Sequence, residues 1–359
     1  MPHKTTKNNI AELKHPEFTA LNTNWFKYRL TYDAGRAFVN TYLKQFSSRE
    51  SNDDYNIRRE ITYVPAYARG AVKEVENAIF QRISFVARIG GSEAYQKATR
   101  GKLGGVDKHD KTMNQFIGME VLPELTQIGK VGVYIDNDRK ETALATGQPS
   151  HPYLYTYRAE DILNWEFTPK KTGRILTKLL LRDSFEIKDD EFGLPVESTE
   201  AFRFLELIPV LNVEEGELEE GQILFSDIVV RLKMFDHAGE HVSTQILDLP
   251  MIPFALGDIG QSLLKQTSDM QIALMNLESS DLSFLLKANF PFYTEQKDQM
   301  NNLQSMLQRG ISSDGTEETA DKARKAEIVV GTVDGRYYDK GLERPNFIAP
   351  PTDPTEPRS

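Results

Sequence analysis

The feature that most constrains the fold is one stretch, residues 258–288, where a helical rhythm runs on without a proline. A helix of that length reaches about 45 Å at 1.5 Å per residue, far beyond the usual length of about 11–12 residues. Ser262, Lys265, Asp269, Asn276, Ser280, Ser283 and Lys287 return to one narrow stripe at 3.6 residues per turn. Ile259, Leu263, Met270, Leu274, Leu277, Phe284 and Leu285 lie broadly opposite. The pattern predicts a helix packed along one side and wet along the other. Leu263, Met270, Leu274, Leu277 and Phe284 are the candidate packing residues.

Ahead of it the chain is mixed. Trp25, Tyr28 and Tyr32 recur at helical spacing and predict one covered face. Ser47, Ser48, Ser51, Asn52 and Asp53 form a turn-rich break. Residues 65–86 predict an amphipathic helix with Pro65 in its first turn. Tyr67, Ala68, Ala71, Val72, Val75, Ala78, Ile79 and Ile83 face inward in that reading. A second helix is expected over 111–128, with Phe116, Leu122 and Leu125 inward and Gly129 ending it. Residues 131–135 read as a strand and 137–150 as an exposed loop. Apolar runs at 153–157, 175–181, 202–210, 223–235 and 246–252 predict an antiparallel meander. Beyond the long helix, 290–293 and 327–330 read as strands, 297–308 as a helix and 312–321 as a polar loop. Residues 346–359 have a Pro-rich linker composition. The fold class is α+β.

Composition narrows the chemistry. Hydrophobic residues make up 39% of the 359, enough for a core, which excludes a wholly disordered chain. The 43 basic and 53 acidic residues give a net charge of −10. That excludes a simple cationic nucleic-acid binder, though not a protein that surrounds DNA without gripping it. With no Cys, disulfides, thiolate metal sites and cysteine nucleophiles are excluded. The first residues have no apolar signal core, and no apolar run nears the roughly 20 residues that span a bilayer.

Short motifs carry little. His237-Ala-Gly-Glu240-His241 has the H-x-x-E-H pattern of some zinc peptidases, which need both imidazoles on one helical face. Here it lies between strand-like runs, and Gly239 favours a turn. The glycines of 101–105 lack the Gly-Lys-Ser/Thr ending of a P-loop, so a flexible surface loop is expected. Asp136 and Asp138 follow a strand end without an evident base or nucleophile. Glu214, Glu215, Glu217, Glu219 and Glu220 read as a solvated loop tip, or as a negative surface facing DNA or a basic partner. No catalytic residue, metal site or cofactor is expected.

Longer blocks say more. They are His15-Pro-Glu-Phe and Trp25-Phe-Lys-Tyr-Arg29 through Ala34-Gly-Arg-Ala-Phe to Tyr42-Leu. They continue with Tyr63-Val-Pro-Ala-Tyr67 through Ile79-Phe-Gln-Arg82, and Phe116-Ile-Gly118 through Leu122-Pro-Glu-Leu125 to Gly129-Lys-Val-Gly-Val-Tyr-Ile-Asp136. Tyr157-Arg-Ala-Glu-Asp-Ile-Leu-Asn-Trp165 and Asn276-Leu-Glu-Ser-Ser-Asp281 through Asn289-Phe-Pro-Phe-Tyr-Thr-Glu-Gln296 complete the set. In order and spacing, over about residues 15–350, the chain resembles the portal proteins (head-to-tail connectors) of tailed bacteriophages.

The resemblance implies a portal fold. Residues 1–255 would form a wing, helical to about 128 and β-rich over about 130–255. Residues 256–288 would be the first stem helix, 289–350 a small α/β clip, and 351–359 a linker. The family's second stem helix, wing helix and crown would have no counterpart in these residues, so that either the sequence is a fragment or the rest is supplied elsewhere. It implies a non-enzymatic ring of identical subunits, dodecameric, at one capsid vertex in the virion, assembled in the host cytoplasm. Double-stranded DNA would pass through the channel during packaging and ejection. Large terminase, a neck adaptor and the major capsid or scaffolding protein would be partners, with no membrane. The polar stripe would face the channel, with Lys265 and Lys287 touching phosphates weakly, and the apolar row would pack on neighbouring subunits. The alternatives are another phage head or neck protein without a channel, and a metal-dependent hydrolase using His237, Glu240 and His241.

Overall fold

His15 and Pro16 start α1 (Pro16–Asp33). The proline takes a first-turn position that needs no N–H, and His15 Nδ1 accepts the Glu17 amide at 3.2 Å. Ala34 (φ 53°) and Gly35 (φ 75°) then break the helix, and α2 (Gly35–Tyr42) follows. This is a computed structural model; it describes residues 9–46, 48, 50–83, 85–137, 152–171, 173–188, 192, 194–218, 224–289, 293–297 and 335–339. Ser51 in the expected break caps α3 (Asn52–Ile61), its hydroxyl accepting the Asp54 amide. Helices α4 (Tyr67–Ile83), α5 (Glu93–Thr99), α6 (Met113–Phe116) and α7 (Leu122–Gln127) complete the first part.

Between α6 and α7 lies one π-helical turn, Ile117–Val121, so the run expected over 111–128 is helical but bulged. Pro123 is the physical reason. It has no N–H to return to the preceding turn, and the wider turn absorbs the loss. Gly118 sits in the bulge against Phe80; a Cβ there would lie 1.8 Å from the ring. Gly129, at φ 94°, ends the run, as its position predicts.

The β part forms two sheets, where the sequence predicts one meander. Strands β3 (Ile162–Lys170), β4 (Gly173–Lys188), β5 (Pro195–Pro209), β6 (Ile228–Phe235) and β7 (His241–Leu247) make an antiparallel meander in chain order. The run at 153–157 instead becomes β2 (Pro152–Arg158) and pairs with β1 (Lys130–Asn137). β8 (Phe254–Asp258) lines the other edge of β1, giving the order β2-β1-β8. A turn of 3₁₀ helix, Ala159–Asp161, redirects the chain from one sheet into the other. The sequence reading missed β3. Its Pro169 is tolerated because β3 is an edge strand.

The main core gathers Phe18, Trp25 and Tyr28 of α1, Ala68 and Val72 of α4, and Ile162, Trp165, Leu179, Leu181, Leu205 and Val230 of the meander. Trp25 and Tyr28 are buried, as their spacing predicts. The face predicted for α4 is largely wrong. Only the row Ala68, Val72, Glu76 is buried, while Tyr67, Ala71, Val75, Ala78 and Ile79 are exposed. Glu76 is buried because it is paired: its carboxylate accepts from the Thr126 hydroxyl (2.6 Å) and binds Lys73 (2.7 Å).

The long helix is α8 (Leu264–Asn289), starting six residues later than its rhythm suggests. Strand β8 claims Asp258, whose carboxylate accepts the Gly260 amide, with Gly260 at φ 76°. By compactness the chain divides inside α8. One unit comprises Met1–Gln45 with Tyr63–Asn276; the other comprises Phe46–Thr62 with Leu277–Ser359. In the second unit a parallel pair joins β9 (Tyr293–Lys297) and β10 (Gly335–Asp339). The residues expected as a helix (beyond Lys297), polar loop, second strand and Pro-rich linker lie outside the described ones.

His15 also stacks on Trp165, with ring centroids 4.0 Å apart, and the opposed cation Lys130 lies 4.2 Å from that ring. Lys130 is buried and held by Glu17 (2.5 Å) and Asp258 (3.2 Å). Burial lowers the His15 pKa from 6.5; Glu17 opposes the shift and Lys130 adds to it. Neutral His15 caps α1, and a protonated ring loses that acceptor beside the positive end of the helix. Its contribution is complete above pH 6.5 and is lost as pH falls from 6.5 through the lower folded value. Thermal unfolding followed across that range should show the loss in the wild type and a reduced loss in His15→Asn.

Candidate functional site

The candidate surface is α8, and its geometry begins just before it. The Ser262 hydroxyl donates to the Gln127 carbonyl and accepts the Leu264 amide, and the Leu263 amide binds Thr126 O at 3.0 Å. The start of α8 is thereby tied to the end of α7. Ser262 is buried and precedes the helix, so it leaves the predicted wet stripe. Its oxygen is needed to satisfy backbone groups at two helix ends.

Within α8 the buried row is Leu264, Ser268, Gln271, Met275 and Ser279. Sequence reasoning missed this row because three of the five are polar. The signal was present in their spacing, which returns to one face. Gln271 explains its own burial. Its Oε1 accepts the Ala68 amide at 2.8 Å and its Nε2 donates to the Thr31 carbonyl at 3.2 Å. One carboxamide thus serves the start of α4 and the last turns of α1. Asn276 is half-buried. It accepts the Lys44 amide (3.0 Å) and donates to the Tyr42 carbonyl (3.2 Å), satisfying the end of α2. It too is withdrawn from the wet stripe.

The remaining stripe residues stay accessible. Lys265 and Asp269 are exposed, Asp269 paired with Lys27 at 2.9 Å, and Ser280 and Ser283 are half-exposed. The side chains of Lys287 and Phe284 lie outside the described ones. The other expected packing residues are exposed. Leu263 is 43% exposed, Met270 66%, Leu274 44% and Leu277 65%. Ile259 and Leu285 are exposed as well. The helix therefore has three faces rather than two. Its buried seam, its polar stripe and its apolar row lie roughly 110–130° apart around the axis.

In the second unit Arg58 is the organising group. It is 1% exposed, binds Glu50 (2.8 Å), donates to the Ser279 hydroxyl (2.6 Å) and lies 3.6 Å from the Phe46 ring centroid. In the first unit a polar cluster spans both sheets. The Tyr157 hydroxyl donates to Asp183 (2.7 Å), Arg203 binds Asp183 (2.8 Å) and donates to Tyr155 Oη (2.9 Å). Burial drives the Tyr157 pKa far upward, keeping the phenol a donor. A cleft of about 450 Å³ beside it is lined by Tyr155, Tyr157, Asp161, Arg182, Asp183 and Glu200. Arg182 already pairs with Asp161 at 2.9 Å, so this cluster joins strands rather than presenting a reactive group.

The short motifs resolve into local structure. His237 lies in the β6–β7 turn, where Gly239 (φ 81°) donates its amide to Asp236 O. His241 is on β7, its Nε2 2.7 Å from Thr244 Oγ1. The pair therefore does not share a helical face. The 101–105 loop is compact rather than loose. Val106 and Asp107 are buried, and Asp107 accepts the His109 amide and binds Lys111. Asp136 Oδ1 accepts the Asn137 amide; Asp138 lies outside the described residues. Of the acidic run, Glu217 is committed to Arg231 at 3.2 Å, while Glu219 and Glu220 are outside them. Among the described residues no cluster of three metal-binding side chains occurs, and no helix is long and apolar enough to cross a membrane.

No protein-family model matches the sequence, and no curated protein is similar to it at a significant level.

Replacing Gln271 by Leu keeps the volume but leaves the Ala68 amide and the Thr31 carbonyl without their partner. The expected loss is about 2–4 kcal/mol, from two orphaned buried groups at roughly 1–2 each. Asp269→Ala, at an exposed pair, should cost under about 1 kcal/mol. Paired denaturant titrations of the two variants measure the difference.

Proposed function

We propose that the chain is a subunit of a bacteriophage portal ring, and that α8 is its first stem helix. The carrying observation is the three-faced helix. One face is satisfied by the chain itself, one is polar, and one is an apolar row that stays exposed among the described residues. A row of exposed Leu and Met on a long helix favours burial against another surface. In a cyclic homo-oligomer that surface is supplied by the next copy through a heterologous contact. Exposed Tyr63, Tyr67, Phe85 and Ile89 add further apolar area outside α8, consistent with a chain that works within an assembly.

In this reading the polar face, with Lys265, Asp269, Ser280, Ser283 and Lys287, borders a channel for double-stranded DNA. The net charge of −10 suits a conduit. Walls rich in lysine would hold phosphates, and each contact would have to be broken as the duplex advanced. Sparse cations between hydroxyls keep the surface wet and the grip weak. The wing and clip, the dodecameric ring at the capsid vertex of the virion, and docking of large terminase, neck adaptor and capsid or scaffolding protein belong to the same proposal.

Two substitutions test the packing role. Leu274→Glu and Leu277→Glu should abolish rings in negative-stain images while leaving the monomer's melting temperature nearly unchanged, since both sites are exposed. Met275→Glu should instead destabilise the monomer itself, because it buries an unpaired charge. Rings that survive both leucine changes remove α8 from the interface. Wild-type particles without a central hole point to another head or neck component.

The channel role has its own test. Replacing Lys265 and Lys287 together by Ala should leave rings intact and lower the DNA retained in packaging assays; unchanged retention removes the phosphate contacts.

A further inference from the structure

We propose that the tip of the β3–β4 hairpin is a contact point for the phosphate backbone of double-stranded nucleic acid. Lys170, Lys171 and Arg174 place three cations within five residues, and all are exposed. Lys170 pairs with Gly173 and Pro169 with Arg174 in the hairpin register, so the ladder holds the backbone of Lys170 and Arg174. The Arg174 guanidinium rests over the Phe167 ring at 4.4 Å, which holds it at the tip.

Several other cations are already neutralised within the fold. Arg29, Arg58, Arg182, Arg203 and Arg231 are each bound to carboxylates. Among the described residues none of the three tip cations has an ion-pair partner, and the nearest acid along the hairpin, Glu166, is occupied by Lys178 at 2.9 Å. In a chain of net charge −10, a tip with three exposed cations and no ion pair among the described residues is locally reversed in sign. At about 3.3 Å per strand residue the three charges fall within roughly 10 Å. A duplex carries one charge per about 1.7 Å of axis, so each cation meets a phosphate at once. The contact would be independent of sequence, since it reads phosphates and not base edges. It involves a different surface from α8 and stands whether or not the chain forms rings.

Fluorescence anisotropy with a short labelled DNA duplex tests it, using the wild type, the triple variant Lys170→Ala, Lys171→Ala, Arg174→Ala, and the conservative triple Lys170→Arg, Lys171→Arg, Arg174→Lys. At about 50 mM salt the alanine triple should bind at least about tenfold more weakly, and its slope of log K against log salt should be shallower by about 2.7, three contacts at about 0.9 each. The conservative triple should retain binding, and duplexes of unrelated sequence should bind alike. Circular dichroism checks that each variant is folded; Lys171→Glu alone, expected to weaken binding, is the reserve if a triple is not. Absence of wild-type binding, or equal binding by the alanine triple, overturns the proposal. Competition by polyglutamate as effective as by duplex at equal charge also overturns it, in favour of an acidic protein partner.

Discussion

The Gln271 carboxamide, held between the Ala68 amide and the Thr31 carbonyl, is the contact on which the placement of α8 depends. It meets polar backbone groups of α1 and α4 that would otherwise be buried without partners. Ser262 does the same for the end of α7 and Asn276 for the end of α2. Three polar side chains near or within one helix thus complete four other helix ends. An apolar seam could bury more area, but it could not satisfy those groups. The consequence is that the large apolar residues of α8 are left on another face.

That division of labour links structure to function. A helix with a single apolar face spends it on its own core. Here the intrachain seam is small and polar, with Ser268, Gln271 and Ser279 among its members, so the apolar row stays exposed, which is what the proposed subunit contact requires. The polar stripe then lies on a third side. In the proposed ring, such a helix would offer one surface to its own chain, one to the neighbour and one to the axis. The charge pattern is divided too: Arg29, Arg58, Arg182, Arg203 and Arg231 are neutralised within the fold, while Lys170, Lys171 and Arg174 are exposed.

Part of this was legible in the sequence. The long helix, the helix–sheet order, the buried faces of Trp25 and Tyr28 and the Gly129 stop all follow from periodicity and local chemistry. The bulge at Ile117–Val121 had a visible cause in Pro123 but no visible form. The face of α4 was misread because Val75 and Ile79 look like core residues by rhythm, whereas the buried position went to Glu76. Burial of a carboxylate depends on Thr126 and Lys73 arriving from the right directions, which a one-dimensional pattern does not encode.

The sequence by itself determined that α8 would be long, that it would carry a polar stripe and that Leu263, Met270, Leu274 and Leu277 would share a side. These depend only on the 3.6-residue period and side-chain polarity. Tertiary structure alone decided which side the chain would cover. It drew Ser262 and Asn276 inward, left the leucines bare and split the predicted meander into two sheets. The reason is that a buried backbone group must find a partner wherever the fold leaves it, and hydrogen-bond geometry between distant segments outranked local hydrophobic rhythm.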